Sequence, residues 1–288
     1  MAILNMTPDS FSDGGLHPAS TQPSLADTIR SFVASGATMI DVGGQSTAPN
    51  RPEVTFEEEL ARVLPAVKLI RSIPEARDIL ISVDTYRASV AEAAAEAGAD
   101  IINDVSAGAM DPDMLPTVAR LGKTVCLMHM RGTPATMSKL NDYSSGSGSE
   151  SDGPASAGGL TGDGLIPAIA RELLERVAAA EAAGVRRWRI ILDPGLGFAK
   201  LGEQNLSVLR HLHELRAWPG LRGLPWLVGS SRKSFVGKFT GVARPADRVW
   251  GTAATVAAAV EGGADVVRVH DVKEMGQVVR MSDAIWRY

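Results

Sequence analysis

The feature that most limits how this chain can fold is a repeat. "GATMIDVG" (36–43), "GADIINDV" (98–105) and "GADVVRVH" (263–270) align without gaps. Each copy opens with Gly-Ala, and glycine accepts the left-handed conformation that ends a helix. Each copy therefore predicts one local event: a helix stops, the chain turns tightly and a strand begins. Two-residue alternation places Asp41, Asn103 and Arg268 at equivalent positions near the C-terminal ends of their strands.

Further strands are predicted at 2–6, 79–84, 124–130, 188–193 and 225–230. Helical patterns lie between them, at 23–35, 55–71, 86–97, 112–121, 164–183, 203–216, 246–261 and 272–286. Eight strands alternating with eight helices predict an α/β fold with a parallel sheet. Eight is also the number that closes a (β/α)8 TIM barrel. An open doubly wound sheet is the alternative. The barrel is preferred because the repeat returns at both ends of the chain. One segment, 144–164, is rich in Gly and Ser and almost without apolar residues. It cannot bury enough surface to offset its ordering entropy, so it reads as a disordered insertion. Residues 1–288 are thus expected to form a single domain.

Composition narrows the partners. A net charge of −4 disfavours nucleic acid. The only cysteine, Cys126, allows no internal disulfide and suits a reducing compartment. No apolar run approaches the ~20 residues of a membrane span, and no signal-peptide pattern is present. A chain that starts almost directly in a strand is expected to be cut from a longer polypeptide. The expected location is cytoplasmic, or mitochondrial if an upstream targeting segment has been removed.

In such barrels the strand C-termini line the active site. Here those ends carry Asn5, Asp41, Asp84, Asn103, His129, Asp193, Ser231, Arg268 and His270. Each has an ordinary alternative. Asp84-Thr85 could cap the next helix, Asp193-Pro194-Gly195 could be a plain turn, and His270 could be a satisfied half-buried histidine. So many polar strand ends together predict a shared site. Arg268 and His270, two apart on a strand, face one side and predict two cationic donors for an anion. "GSSRKSFVGKF" (229–239) brings Ser231 and Lys233 to a loop that often binds phosphate in this architecture. A hard divalent cation would fit beside phosphate. His211 and His213 read as surface, Met39 and Met110 as packing. No P-loop, zinc-ligand spacing or nucleophilic triad appears.

Taken together, "ILNMTPDSFSDGG", "DVGGQSTAP", "ISVDTYR", "IINDVSAG", "CLMHMRGTP", "ILDPGLGFAK", "LVGSSRKSF" and "VVRVHDVKE" closely resemble the dihydropteroate synthases, over the whole chain except 144–164. The early start and the insertion resemble the synthase part of a fungal multifunctional folate-synthesis protein. The resemblance implies that 6-hydroxymethyl-7,8-dihydropterin diphosphate and p-aminobenzoate give 7,8-dihydropteroate and pyrophosphate. It implies pterin binding by Asp84, Asn103, Met128, Asp193, Lys233 and Arg268. Asn5, Thr47, Arg268 and His270 would hold the diphosphate, with Asn5 also on Mg²⁺. Phe11, Pro49, Phe198, Ser231 and Lys233 would border the aminobenzoate. Asp13 would stabilise a cationic pterin methylene under a mobile first loop, with Lys233 and Arg268 sharing the catalytic work. A homodimer and fused upstream folate-pathway domains are also implied. Where many relatives carry Arg between the Thr and Pro of the second loop, this chain has Ala48, and Gln45 replaces a bacterial Glu. Two other readings remain: a methyltetrahydrofolate-using methyltransferase of the same barrel type, and a non-catalytic pterin-binding protein.

Overall fold

The computed structural model describes residues 1–6, 24–45, 53–143 and 164–287. Phe11, Asp13, Thr47, Ala48, Pro49 and nearly all of the Gly/Ser segment lie outside the described residues. The strands are β1 (Ala2–Asn5), β2 (Met39–Gly43), β3 (Leu80–Asp84), β4 (Ile101–Asp104), β5 (Thr124–Met128), β6 (Ile190–Asp193), β7 (Leu227–Val228) and β8 (Val266–Val267). The helices are α1 (Leu25–Ala34), α2 (Phe56–Ser72), α3 (Ala88–Glu96), α4 (Met114–Leu121), α5 (Leu165–Ala182), α6 (Gly202–Arg210), α7 (Leu212–Ala217), α8 (Ser234–Thr240), α9 (Val249–Glu261) and α10 (Val272–Trp286).

β1 to β6 form one parallel sheet in chain order, and β7 and β8 form a parallel pair. Single bridges join the two pieces at both edges: Leu192 to Trp226, and Ala2 to Val269. Across the second edge the Ile3 amide donates to Val269 O at 3.0 Å, and the Val269 amide to Met1 O at 3.0 Å. The eight strands thereby close the expected barrel.

The repeat behaves as the sequence implies. Gly36, Gly98 and Gly263, its three leading glycines, have φ of +91°, +115° and +95°. A side chain there would strain the turn. Helix starts follow familiar chemistry: the Ser24 hydroxyl accepts the Asp27 amide at 3.2 Å, and the Thr55 hydroxyl accepts the Glu58 amide at 3.2 Å.

Strand alternation sorts side chains into two environments. Ile101, Cys126, Ile191 and Leu227 fill the barrel interior, with Met39 against them. Met110 packs beside Tyr86, Val105 and Met128. The opposite strand faces pack on the helices through residues such as Ile40, Ile81, Ile102 and Leu127, all fully buried. Each such side chain contributes about 1.5–3 kcal/mol. This two-sided burial fixes strand register, and with it which strand-end residues point inward. Among the described residues no helix is long and apolar enough to cross a membrane.

Candidate active site at the barrel mouth

A cavity of about 380 Å³ opens where the strands end. Asn5, Asp84, Asn103, Met128, Asp193, Phe198, Lys233, Arg268 and His270 all line it. These residues were expected to meet from their strand-end positions and the family resemblance.

Its floor is built from the repeat. Asp41 Oδ2 accepts from Arg268 Nε at 2.6 Å and from Asn103 Nδ2 at 3.2 Å. The three equivalent residues of the three copies therefore meet at one carboxylate oxygen. Asp41 and Asn103 lie on β2 and β4 and Arg268 directly follows β8, and a barrel interior is layered by alternate strands. Asp41 is fully buried beneath the cavity and does not line it. Arg268 also donates from Nη2 to Asp84 Oδ2 at 2.9 Å. One guanidinium thus bridges two carboxylates, and it is held above its usual range: burial opposes the charge, but Asp41 and Asp84 outweigh it. Burial, with Asp41 and Glu59, raises Asp84 to about 7 despite Arg268. Among the described residues Asp84 Oδ1 is buried without a hydrogen-bond partner. Such an atom is costly unless a ligand donor meets it.

On the opposite wall Asp193 Oδ1 accepts the Gly195 amide at 2.7 Å. Burial raises its pKa, against the pull of Lys233. Burial lowers Lys233 to about 8, partly offset by Asp193. The Lys233 ammonium donates to Leu196 O and lies 4.7 Å from the centre of the Phe198 ring.

Residues 1–270 match the family described as "Pterin binding enzyme". The chain is 47% identical over 287 residues to the folic acid synthesis protein fol1 of Pneumocystis carinii, covering all of this chain but 36% of that protein. The chain thus spans about a third of that fungal relative. It is 44% identical over 287 residues to the dihydropteroate synthase of Synechocystis sp., covering 100% of this chain and 90% of the other. The chain belongs to the dihydropteroate synthase family. The crystal structure of the Yersinia pestis dihydropteroate synthase with a sulfonamide drug superposes with a TM-score of 0.82 at 37% identity, covering 100% of this chain and 94% of that one.

Within this barrel four expectations need correction. His129 does not join the cavity. β5 ends at Met128, which faces inward, so the next side chain points outward. It is buried against Glu172, with Nε2 2.9 Å from Glu172 Oε2. Ser231, expected at the aminobenzoate, does not line the cavity either. It is buried, and its hydroxyl pairs with His270 Nδ1 at 2.9 Å. Ser234, three residues on, lines the wall instead. His270 is not a second cation: burial, then Arg232 and Arg268, lowers its pKa to about 4. His211 is half-buried rather than on the surface, with Nδ1 2.8 Å from Ser207 O.

Two groups were given no place in the site by the sequence reading, which noted Gln45 only as a replacement in its loop. Gln45 lines the cavity, held by Tyr86 (Nε2 to OH, 3.0 Å) and Arg87 (Nη1 to Oε1, 3.0 Å). Lys200 supports the loop after β6 from behind. Its ammonium donates to His129 Nδ1 at 2.9 Å, Gly195 O at 3.1 Å and Phe198 O at 3.1 Å. Beyond His129, Glu172 pairs with Arg131 (Nη2 to Oε1, 2.5 Å). The loop is shaped for this contact. Gly195 has φ +67°, and a Cβ there would lie 2.0 Å from His129 O.

Lys200 carries a pH consequence. Burial lowers it to about 7 from 10.5, partly offset by Asp193. Above that value the folded chain has released a proton that the unfolded chain keeps until about pH 10.4. Stability therefore rises with pH across that window. Urea unfolding of the ligand-free chain is expected to show greater stability at about pH 9.5 than at about pH 7. Lys200→Met should flatten the increase. An unchanged slope in the variant would mean that Lys200 keeps its proton.

Proposed function

We propose that this chain condenses 6-hydroxymethyl-7,8-dihydropterin diphosphate with p-aminobenzoate, giving 7,8-dihydropteroate and pyrophosphate. The observation that carries the reading is one cavity, in a chain of this family, that sets Asp84 and Asp193 around a single pocket with Arg268 and Lys233 between them.

The pterin edge offers N–H donors. Asp84 Oδ1, buried and without a partner among the described residues, and Asp193 Oδ2, the oxygen that the Gly195 amide does not use, are acceptors for them. Asn103 and Met128 complete that end of the pocket. Arg268 is already fixed by two carboxylates, so its charge reaches a ligand without reorganisation. Asn5, Arg268 and His270 would hold the diphosphate at the rim. The bond from the pterin methylene carbon to the diphosphate oxygen breaks, its electron pair leaving on pyrophosphate and positive charge spreading over the pterin methylene. The amino nitrogen of p-aminobenzoate then bonds to that carbon and loses one proton to bulk solvent. Phe198, Ser234 and Lys233 border the approach. The contributions of Asp13, Phe11, Thr47 and Pro49 rest on the resemblance alone.

Mg²⁺ fits this donor set. It takes few protein oxygens and fills its shell with phosphate and water. The Asn5 carboxamide is the group that would hold it, and the ion would neutralise charge on the leaving diphosphate. Among the described residues there is no cluster of three His, Cys, Asp or Glu suited to a metal.

Pyrophosphate release should require both substrates, and sulfonamides should inhibit in competition with p-aminobenzoate. Release that ignores p-aminobenzoate would refute the reading. A homodimer and fused folate-pathway domains are part of the same proposal. Trp250 and Trp286 are exposed on α9 and α10 and offer apolar area to a second copy. Sedimentation of the chain at twice the monomer mass is the check.

A further inference from the structure

We infer that Ser231 is a positioning residue: it locks His270 as the neutral Nε2–H tautomer, so that the histidine meets the diphosphate as a neutral one-proton donor. The inference rests on the diphosphate assignment above and assigns Ser231 a different task from bordering the aminobenzoate.

The argument is an accounting of protons. The Ser231 hydroxyl has one proton and two lone pairs. The His270 backbone amide donates to Ser231 Oγ at 3.1 Å, which fixes the oxygen as an acceptor there. The same oxygen lies 2.9 Å from His270 Nδ1. If Nδ1 carried the ring proton, Oγ would accept twice, and the serine proton would need another acceptor. Among the described residues Ser231 Oγ has no third partner, and the side chain is buried. The arrangement that satisfies every atom has Ser231 donating to a bare Nδ1. The ring proton is then on Nε2, the nitrogen turned away from Ser231 on a residue that lines the cavity.

The surroundings keep the ring in that state. Arg268, two residues away, lines the same cavity. On the other side, Arg232 donates from Nε to Asp271 Oδ2 at 3.1 Å, beside His270 in sequence. Arg232 is held in the left-handed region at φ +60°, and its amide donates to Thr252 Oγ1 at 3.2 Å. The turn that presents Ser231 is therefore fixed from both sides. A neutral donor has a chemical advantage here. It stabilises the leaving diphosphate through one directed N–H bond, and it does not protonate the anion or add a third full charge beside Arg268 and Lys233.

The test has two arms. Histidine-labelled protein without substrate, at neutral pH, is read by two-bond proton–nitrogen correlation spectra. The His270 pattern is expected to show a protonated Nε2 and a bare Nδ1. Ser231→Ala should mix the two tautomers, and Ser231→Thr, which keeps the hydroxyl, should restore one. In calorimetry with inorganic pyrophosphate, Ser231→Ala should bind roughly tenfold more weakly, the scale of one hydrogen bond to a charged group. Binding of the bare pterin alcohol should be unchanged. A protonated Nδ1 in the wild-type spectrum overturns the inference, as does unchanged pyrophosphate affinity in Ser231→Ala. The spectral arm uses no substrate and no turnover, so it stands or falls separately from the proposed reaction.

Discussion

Replacing Arg268 with alanine is expected to cost the protein twice. The first loss is stability. The guanidinium bridges Asp41 and Asp84, and Asp41 is completely buried. Removing one partner of a buried ion pair leaves an uncompensated charge, a loss of about 3–5 kcal/mol. Asp84 would respond by holding its proton. Asp84, already raised to about 7, would move further up. The variant should therefore be most stable in mild acid and weaken as pH rises and Asp84 is forced to ionise. The second loss is affinity. A charge-assisted contact to diphosphate is worth ~1.5–3 kcal/mol, about ten- to a hundredfold in binding. Urea unfolding at two pH values addresses the first. Calorimetry with the diphosphate substrate and with the bare pterin alcohol addresses the second. Equal losses for both ligands would reassign Arg268 to the pterin. Arg268→Lys keeps the charge but lacks the planar fork, so it should recover only part of either loss.

The second large effect is expected at Asp193. Asp193→Asn preserves shape, but it removes the charge facing Lys233 and can turn an amide donor toward the donor edge of the pterin. A charge-assisted bond becomes a donor–donor conflict, and ~3–4 kcal/mol of binding should vanish, roughly 10²–10³ in kcat/KM. The fold should tolerate the change, because an amide oxygen can still accept the Gly195 amide. Turnover assays beside a thermal melt separate the two. A comparable loss of melting stability would make Asp193 a loop anchor rather than a pterin ligand.

How much of this was legible beforehand depends on the range of the interaction. The three Gly-Ala repeats predicted strand starts and inward residues because alternation and helix termination are local effects. Asp41, Asn103 and Arg268 met as a consequence of equal register in alternate strands. His129 failed for the same reason that these succeeded: parity along β5 points Met128 inward and therefore turns His129 out. The charge of His270 was misjudged because it depends on burial and on Arg232, neither of which is a property of "RVH". Ser231 and Ser234 could not be told apart in "SSRKS", since the turn at Arg232 decides which hydroxyl faces the cavity. Lys200 left no signal. Its acceptors include a histidine 71 residues away, and only closure of the barrel brings them together.

The single bridges at the two edges of the β7–β8 pair have a further consequence. Asn5 ends the first strand, while Arg268 and His270 follow the last, so an anion gripped by all three spans the Ala2–Val269 joint. Opening that joint is a local unfolding event with few hydrogen bonds to break. A bound diphosphate would oppose it by mass action, with a strength set by ligand concentration relative to its dissociation constant. Substrate then acts as a fastener for the barrel as well as a reactant. The fold's resistance to breathing, and to the proteases that exploit breathing, becomes a function of how well fed the enzyme is.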